Sequence, residues 1–394
     1  LFIDDLNMNV QKDKYGTSTL LEFLRSIISL ECIYDQKYNE NRFLKKFNIC
    51  CCGNLSAYPN DDEFNRFLSK FLLVTFVTTD DFYINIFKPS LEFEFRKFIP
   101  NTSGITATQY LQASIKLNHL LKNEIHQDPK KLHYQVNMKD VVRVVQAFHD
   151  FCFKDISNYP EYLKKLFFFE NNFLYESKFN KKEDIQMFRN KICDAYSSVF
   201  KQDKVTPDMI FTPTWDTDDT YIFCQNYNNF VEEVKNEDGT IQEKKQENKN
   251  SREEYIFLKN KKALKEFNES KINVYYRAKD IKDKTYIKHT NENIDLVIKI
   301  LRVLENKSPN LILIGKELTF KKPLFDFATF IAGIDVVEID NSYYGDTSKT
   351  KEIFIKNIII PFLINVTQKN KKSILYISSA IKVDYRFEII NKLI

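Results

Sequence analysis

Apolar residues recur along this chain in two rhythms, and their alternation separates sheet-forming from helix-forming stretches. Leu1-Phe2-Ile3 is a short apolar run that ends in two carboxylates, Asp4-Asp5. Thr19–Leu30 places Leu20, Leu21, Leu24, Ile27 and Ile28 at the intervals of an amphipathic helix. Phe47–Cys52 reads as a buried strand closed by Gly53-Asn54, with Cys50, Cys51 and Cys52 as its small apolar residues. Glu63–Phe71 reads as a short helix and Leu72–Phe76 as a third strand. Strands separated by helices predict a parallel sheet with helices on its faces.

The rhythm turns helical from Thr106, with helices expected over Ala107–Ile125 and Lys139–Phe148. Residues 156–230 are mixed, with helical stretches near Glu161–Tyr175 and Glu183–Phe200. Val231–Arg252 is almost wholly charged or amide residues, which reads as a solvated or disordered insertion. Then follow an amphipathic helix at Asn293–Leu304 and a buried strand at Asn310–Gly315. A helix at Lys322–Ile331, a strand at Val336–Ile339, a long helix at Lys351–Thr367 and a strand at Ser373–Ser378 complete a second α/β pattern. The expected division is an α/β core over 1–102, an all-helical subdomain over 103–155, a mixed helical linker over 156–306 and a second α/β core from 307 to 394.

Composition changes this picture little. The net charge is only +4 and is spread along 394 residues, without a dense basic block, so nucleic-acid partners are not expected. The longest apolar runs, Phe71–Phe76 and Ile358–Val366, fall far short of a bilayer span, so no membrane insertion is expected. The 7 cysteines form no C-x-x-C pair, which argues for a reducing compartment and against a structural zinc site. His119, His126, His149 and His289 have no ligand-spaced partners, and His133 reads as a structural cap.

Phe2-Ile3-Asp4-Asp5-Leu6-Asn7-Met8, followed by Tyr15-Gly16-Thr17 and Leu21-Glu22-Phe23-Leu24-Arg25, resembles the Walker B region of the third AAA+ module in dynein heavy chains. Asn9 stands where that family has proline. The resemblance continues at Asn65-Arg66-Phe67-Leu68 and at His133-Tyr134-Gln135-Val136-Asn137 with Asp140 and Arg143, which is similar to the family's lid signature. Leu311–Gly333, Asn341–Gly345 and Ile374–Ile394 are similar to the start of the fourth module. The resemblance implies two incomplete P-loop-type α/β domains joined by a lid and a linker, within a ring of six modules that uses ATP and Mg²⁺ to drive movement along microtubules. Implied partners are microtubules, reached through parts outside this sequence, and dynein intermediate, light-intermediate and light chains. The implied setting is the cytoplasmic cytoskeleton or the ciliary axoneme.

In that frame Asp4 would hold magnesium, since a hard cation prefers carboxylate oxygen, and Asp5 would polarise the attacking water. The glycine-rich phosphate loop of the same site is expected upstream of Leu1. Asn54 would be a polar sensor near the γ-phosphate, or a plain turn asparagine. Arg66 matches the first arginine of an R-F-x-R-H-F pattern and would be an arginine finger, or a solvated helix arginine. Arg143 would be a sensor arginine of the lid, or the partner of Asp140 three residues before it.

The second α/β core is expected not to bind ATP. Gly315-Lys316-Glu317-Leu318-Thr319-Phe320-Lys321-Lys322 keeps the first glycine and the lysine of a phosphate loop, but not the second glycine or the hydroxyl. Ser378-Ser379 ends the later strand where the family has an aspartate. Two other readings stay open: a non-catalytic ring segment that transmits conformational change, and another single-chain six-module ATPase of the midasin type.

Overall fold

A computed structural model describes residues 1–4, 6, 18–35, 37–53, 62–76, 78–125, 131, 133–150, 159–201, 203–211, 222–224, 256–258, 261–280, 290–304, 310–316, 319–339, 348–369, 371–378, 386 and 389–390. The chain is mixed α/β, mostly helical, with small parallel sheets. It divides into two compact units, Leu1–Thr79 and Asp80–Ile394.

In the first unit β1 (Phe2–Ile3) is followed by α1 (Thr19–Leu30). The hydroxyl of Ser18 caps α1 by accepting the Leu21 N–H at 3.3 Å, which satisfies a donor the helix itself cannot. Leu21, Leu24 and Ile27 are its buried stripe, as their spacing predicts. Glu31 ends α1 in a left-handed conformation. The chain then forms an antiparallel hairpin of β2 (Cys32–Asp35) and β3 (Glu40–Phe43), which the apolar pattern did not reveal. Next come β4 (Cys50–Cys51) and α2 (Asp62–Leu68). β4 pairs in parallel with β1, Phe2 against Cys50 and Ile3 against Cys51. A small core of Leu6, Leu21, Leu24, Phe64 and Phe67 holds the helices together.

Two expectations fail here. Leu72–Phe76 is no strand: Leu72 is 91% exposed and Phe76 89%. Among the described residues the sheet holds β1 and β4 alone, so this run has no ladder to join. Cys50 and Cys52 are exposed and Cys51 half-buried, because a two-stranded sheet covers little of either face. The partial burial of Cys51 pushes its thiol above the usual cysteine range.

The second unit begins with α3 (Asp80–Arg96), a helix that the sequence pattern did not reveal and that carries Pro89 inside it. It buries Leu91 and Phe95 in the cluster built by α4 (Ser103–Glu124), α5 (Met138–Asp150), α6 (Tyr159–Tyr175), α7 (Lys182–Val199) and α8 (Pro207–Phe211). The centre of this cluster is aromatic. The ring of Tyr110 lies 5.4 Å from Phe148, 5.8 Å from Phe167 and 4.9 Å from Phe200, centroid to centroid. Such tilted contacts add to the gain from burying the rings.

β5 (Ile222–Cys224) and β6 (Ile256–Leu258) form a short antiparallel pair. The predicted insertion at 231–252 lies outside the described residues. A second core joins α9 (Lys261–Ala278), α10 (Asn291–Leu304) and α11 (Lys321–Ala332) to a parallel sheet of β7 (Asp335–Ile339) and β8 (Ser373–Ile377). Phe169 of α6 packs against both cores. Beside it, Arg302 of α10 donates to Glu170 of α6 at 3.2 Å, with the two side chains only 4% and 3% exposed.

Asn310–Gly315 is extended but unpaired among the described residues. Leu311 and Leu313 lean on the core while Ile312 and Ile314 are exposed, so one face is buried rather than two. The long helix expected over Lys351–Thr367 is broken into α12 (Ser348–Phe354), a π-helical turn (Ile355–Ile359) and α13 (Ile360–Thr367). Pro361 lacks the N–H that an uninterrupted α-helical ladder needs there, and a π-turn absorbs the mismatch.

Arg302→Met should lower unfolding stability by about 3–5 kcal/mol, because it strands the Glu170 carboxylate. The double change with Glu170→Met should recover most of that loss, as read by urea unfolding. Leu72→Ser should change the same measurement by less than about 0.5 kcal/mol.

Candidate functional site

Asp4 stands at the carboxyl end of a parallel strand, where open parallel sheets place ligand-binding residues. The ladder fixes it: the Cys50 N–H donates to Leu1 O, Cys52 N–H to Ile3 O and Leu6 N–H to Cys52 O, each at 2.9 Å. Buried Leu6 anchors the chain beyond it, and Asp4 itself is exposed. Asp5, Asn54 and Tyr15-Gly16-Thr17 lie outside the described residues. Among the described residues no three His, Cys, Asp or Glu side chains stand close enough to share a metal ion. The oxygen of Asp4 suits a hard cation, and the described part of the site offers this one acid.

Arg66 is positioned by α2, whose Phe64 and Phe67 are buried and leave the residue between them facing outward. Its guanidinium is 64% exposed and donates to Glu22 Oε1 at 3.1 Å. Glu22, on α1, also accepts from Arg25 at 2.8 Å and 2.5 Å. The hydrogen bonds from Arg25, aided by the charge of Arg66, hold the Glu22 carboxyl below the usual glutamate value against a partial desolvation. The sequence reading did not single out Glu22 as a partner of Arg66. Its link to Arg25 at i, i+3 was readable, but the link to Arg66 spans 44 residues.

Arg143 belongs to the second unit. It lies on α5 with its guanidinium 59% exposed, and Nη1 is 3.4 Å from Asp140 Oδ1. Asp140 is buried and does several jobs at once. Its other oxygen accepts from the Asn137 N–H at 3.2 Å and from Lys178 Nζ at 2.7 Å, and Lys178 also reaches Gln135 O at 2.7 Å. Burial pulls the Lys178 ammonium below the usual lysine range, and Asp140 opposes that pull. The neighbouring Tyr134 is buried, with its hydroxyl 2.6 Å from Asn180 Oδ1 and 2.9 Å from Asp184 Oδ2. His133 meets the Tyr134 ring edge to face at 4.8 Å. These polar contacts tie the segment before α5 to the turn between α6 and α7.

The loop before α11 is closed on itself. Lys321 Nζ donates to Gly315 O at 2.6 Å and to Lys316 O at 2.7 Å. Phe320 takes a left-handed backbone, φ 54° and ψ 24°, in the second-glycine position of the phosphate-loop spacing. A residue with a Cβ adopts that conformation at a cost of roughly 1–2 kcal/mol. Glu317 and Leu318 lie outside the described residues, as do Asn341–Gly345 and Ser379. In the hydroxyl position, Lys322 Nζ pairs with Glu338 Oε2 at 2.8 Å and Asp326 Oδ1 at 3.4 Å. Partial burial works against that ammonium, yet its hydrogen bond to Glu338 and the charge of Asp326 hold it above the usual lysine range. Burial in turn pushes the Asp326 carboxyl up, against the pull of Lys322. Both lysines are thus committed to the protein itself, and the loop does not fit a magnesium-bound triphosphate.

A sequence model described as the P-loop containing dynein motor region matches residues 1–79. The chain is 22% identical over 400 residues to "Dynein heavy chain-like protein 2" of Plasmodium falciparum (isolate 3D7), covering 99% of this chain and 7% of that protein. It is 26% identical over 205 residues to human "Dynein axonemal heavy chain 3", covering 51% of this chain and 5% of that one. A 25% identity over 150 residues links it to human "Dynein axonemal heavy chain 6", covering 37% and 4%. The chain therefore spans less than a tenth of the length of these relatives. Among the described residues no helix is long and apolar enough to cross a membrane. Together the motor-region match and the relatives, the first of them aligned along nearly the whole sequence, establish that the chain belongs to the dynein heavy-chain family.

Proposed function

We propose that this chain is a segment of a dynein motor, contributing to ATP-driven movement along microtubules in the cytoskeleton, with the ciliary axoneme as its setting. The observation that carries this is the match of residues 1–79 to the dynein motor region, with Asp4 at the end of the parallel strand β1. In this reading 1–102 closes the third AAA+ core, 103–155 is its lid, 156–306 leads into the fourth module and 307–394 begins it. Bound ATP would supply the phosphoryl group and Mg²⁺ the charge that steadies its transfer. Asp4 would hold the cation and Asp5 the water, with Asn54 and Arg143 as sensors. Arg66, exposed on α2, would serve a neighbouring nucleotide as an arginine finger. Microtubules and the intermediate, light-intermediate and light chains are the partners of the whole motor.

The second half is proposed to carry force without nucleotide. The turning of Lys321 onto loop carbonyls and of Lys322 onto carboxylates supports that reading.

In the full-length heavy chain, Asp4→Asn should weaken Mg²⁺-dependent nucleotide binding on the order of 10- to 100-fold at the third module. Lys321→Ala should leave total nucleotide stoichiometry unchanged. Equilibrium binding of a fluorescent ATP analogue checks both, and loss of one bound nucleotide in Lys321→Ala refutes the silent second half.

Glu22 gives a pH test of how Arg66 is held. Its folded pKa lies below the model value of 4.5, so its stabilising pairs are complete above that pH and are lost as the pH falls through the folded value. The urea midpoint should therefore drop on acidification below about pH 4.5, and Glu22→Gln should flatten that drop.

A further inference from the structure

Lys322 occupies the position where a phosphate loop presents its magnesium-binding hydroxyl. A serine or threonine there has a short side chain that ends beside the loop. The lysine stem is long enough to leave the loop and cross to the sheet. Its ammonium touches three separate elements. It lies 2.8 Å from Glu338 of β7, 3.4 Å from Asp326 one turn further along α11, and 3.9 Å from the centroid of the Tyr376 ring on β8. Tyr376 in turn packs against Phe325 of α11 at 5.1 Å. Lys321, its neighbour, reaches back to Gly315 and Lys316. One ammonium closes the loop, and the next fastens the helix to both strands.

We propose that Lys322 is a built-in cation that locks the start of α11 onto the β7–β8 sheet, so that this half of the chain holds one loop–sheet arrangement with no nucleotide. The proposal rests on the reading of residues 315–322 as nucleotide-silent. Charge makes the lock specific. Asp326 and Glu338 would repel each other across the helix–sheet seam, and Lys322 lies between them. Lys279 also acts on Asp326 from α9. The face of the Tyr376 ring favours a cation at the same point. A triphosphate approaching without its own metal would meet these two carboxylates, while a metal would have to displace the ammonium already bound to them.

The test is amide hydrogen exchange, read by mass spectrometry, on the full chain carrying Lys322→Met, Glu338→Gln or both. Each single change should speed exchange across residues 321–325 and 335–339 about two- to fivefold, the scale of a partly exposed ion pair. The double variant should exchange no faster than the single ones. Strictly additive effects, or no effect of Lys322→Met, overturn the lock. Magnesium-ATP added to the unaltered chain should leave exchange in these segments unchanged. Protection by magnesium-ATP with the coupling intact overturns the silent reading and leaves the lock standing.

Discussion

The Arg302–Glu170 ion pair is the constraint on which the second unit turns. Charges are costly to remove from water, and this pair sits at the seam of two apolar cores with its side chains almost wholly covered. It therefore tolerates little sliding between α6 and α10. Apolar contacts alone would permit many nearly equivalent packings there, because Phe169 and its neighbours have no directional preference. A hydrogen-bonded guanidinium and carboxylate accept few relative positions. The aromatic cluster around Tyr110 supplies the bulk of the burial, and the ion pair fixes how that bundle meets the helices that lead to the second sheet.

The two sheet-bearing regions keep similar outlines with different chemistry. At β1 an acid stands at the strand end, exposed and backed by a regular ladder. At β7 and β8 the parallel ladder is longer, yet the nearby cations are already paired within the fold. A site that binds a charged ligand needs charges left uncompensated until the ligand arrives. The first region is compatible with that condition, and the second meets its own charges internally.

Helices were the legible part of this sequence. Thr19–Leu30 and Asn293–Leu304 have apolar stripes, and the structure places them at Thr19–Leu30 and Asn291–Leu304. Strands were less legible, because an apolar run says nothing of whether a partner lies beside it. Leu72–Phe76 and Asn310–Gly315 have the composition of strands and no ladder. The helix at Asp80–Arg96 was hidden by Pro89 and by the mixture of polar and aromatic residues around it. At the candidate site, the identity of Asp4, Arg66 and Arg143 was readable, and so was the i−3 pairing of Arg143 with Asp140. The engagement of Arg66 by Glu22, and of Asp140 by Lys178, was not, since those partners are distant in sequence.

The backbone at Phe320 shows how far shape and chemistry have come apart. The chain bends there in the way glycine accepts freely, though a phenyl side chain occupies the bend. The local geometry is therefore imposed by the anchors on either side, Lys321 on the loop carbonyls and the helix that follows, rather than chosen by the residue itself. Such a loop behaves as a cast that outlasts the material poured into it. Ligand affinity at this place is set by a few side chains, and exchanging them alters what the loop binds without asking the backbone to find a new path.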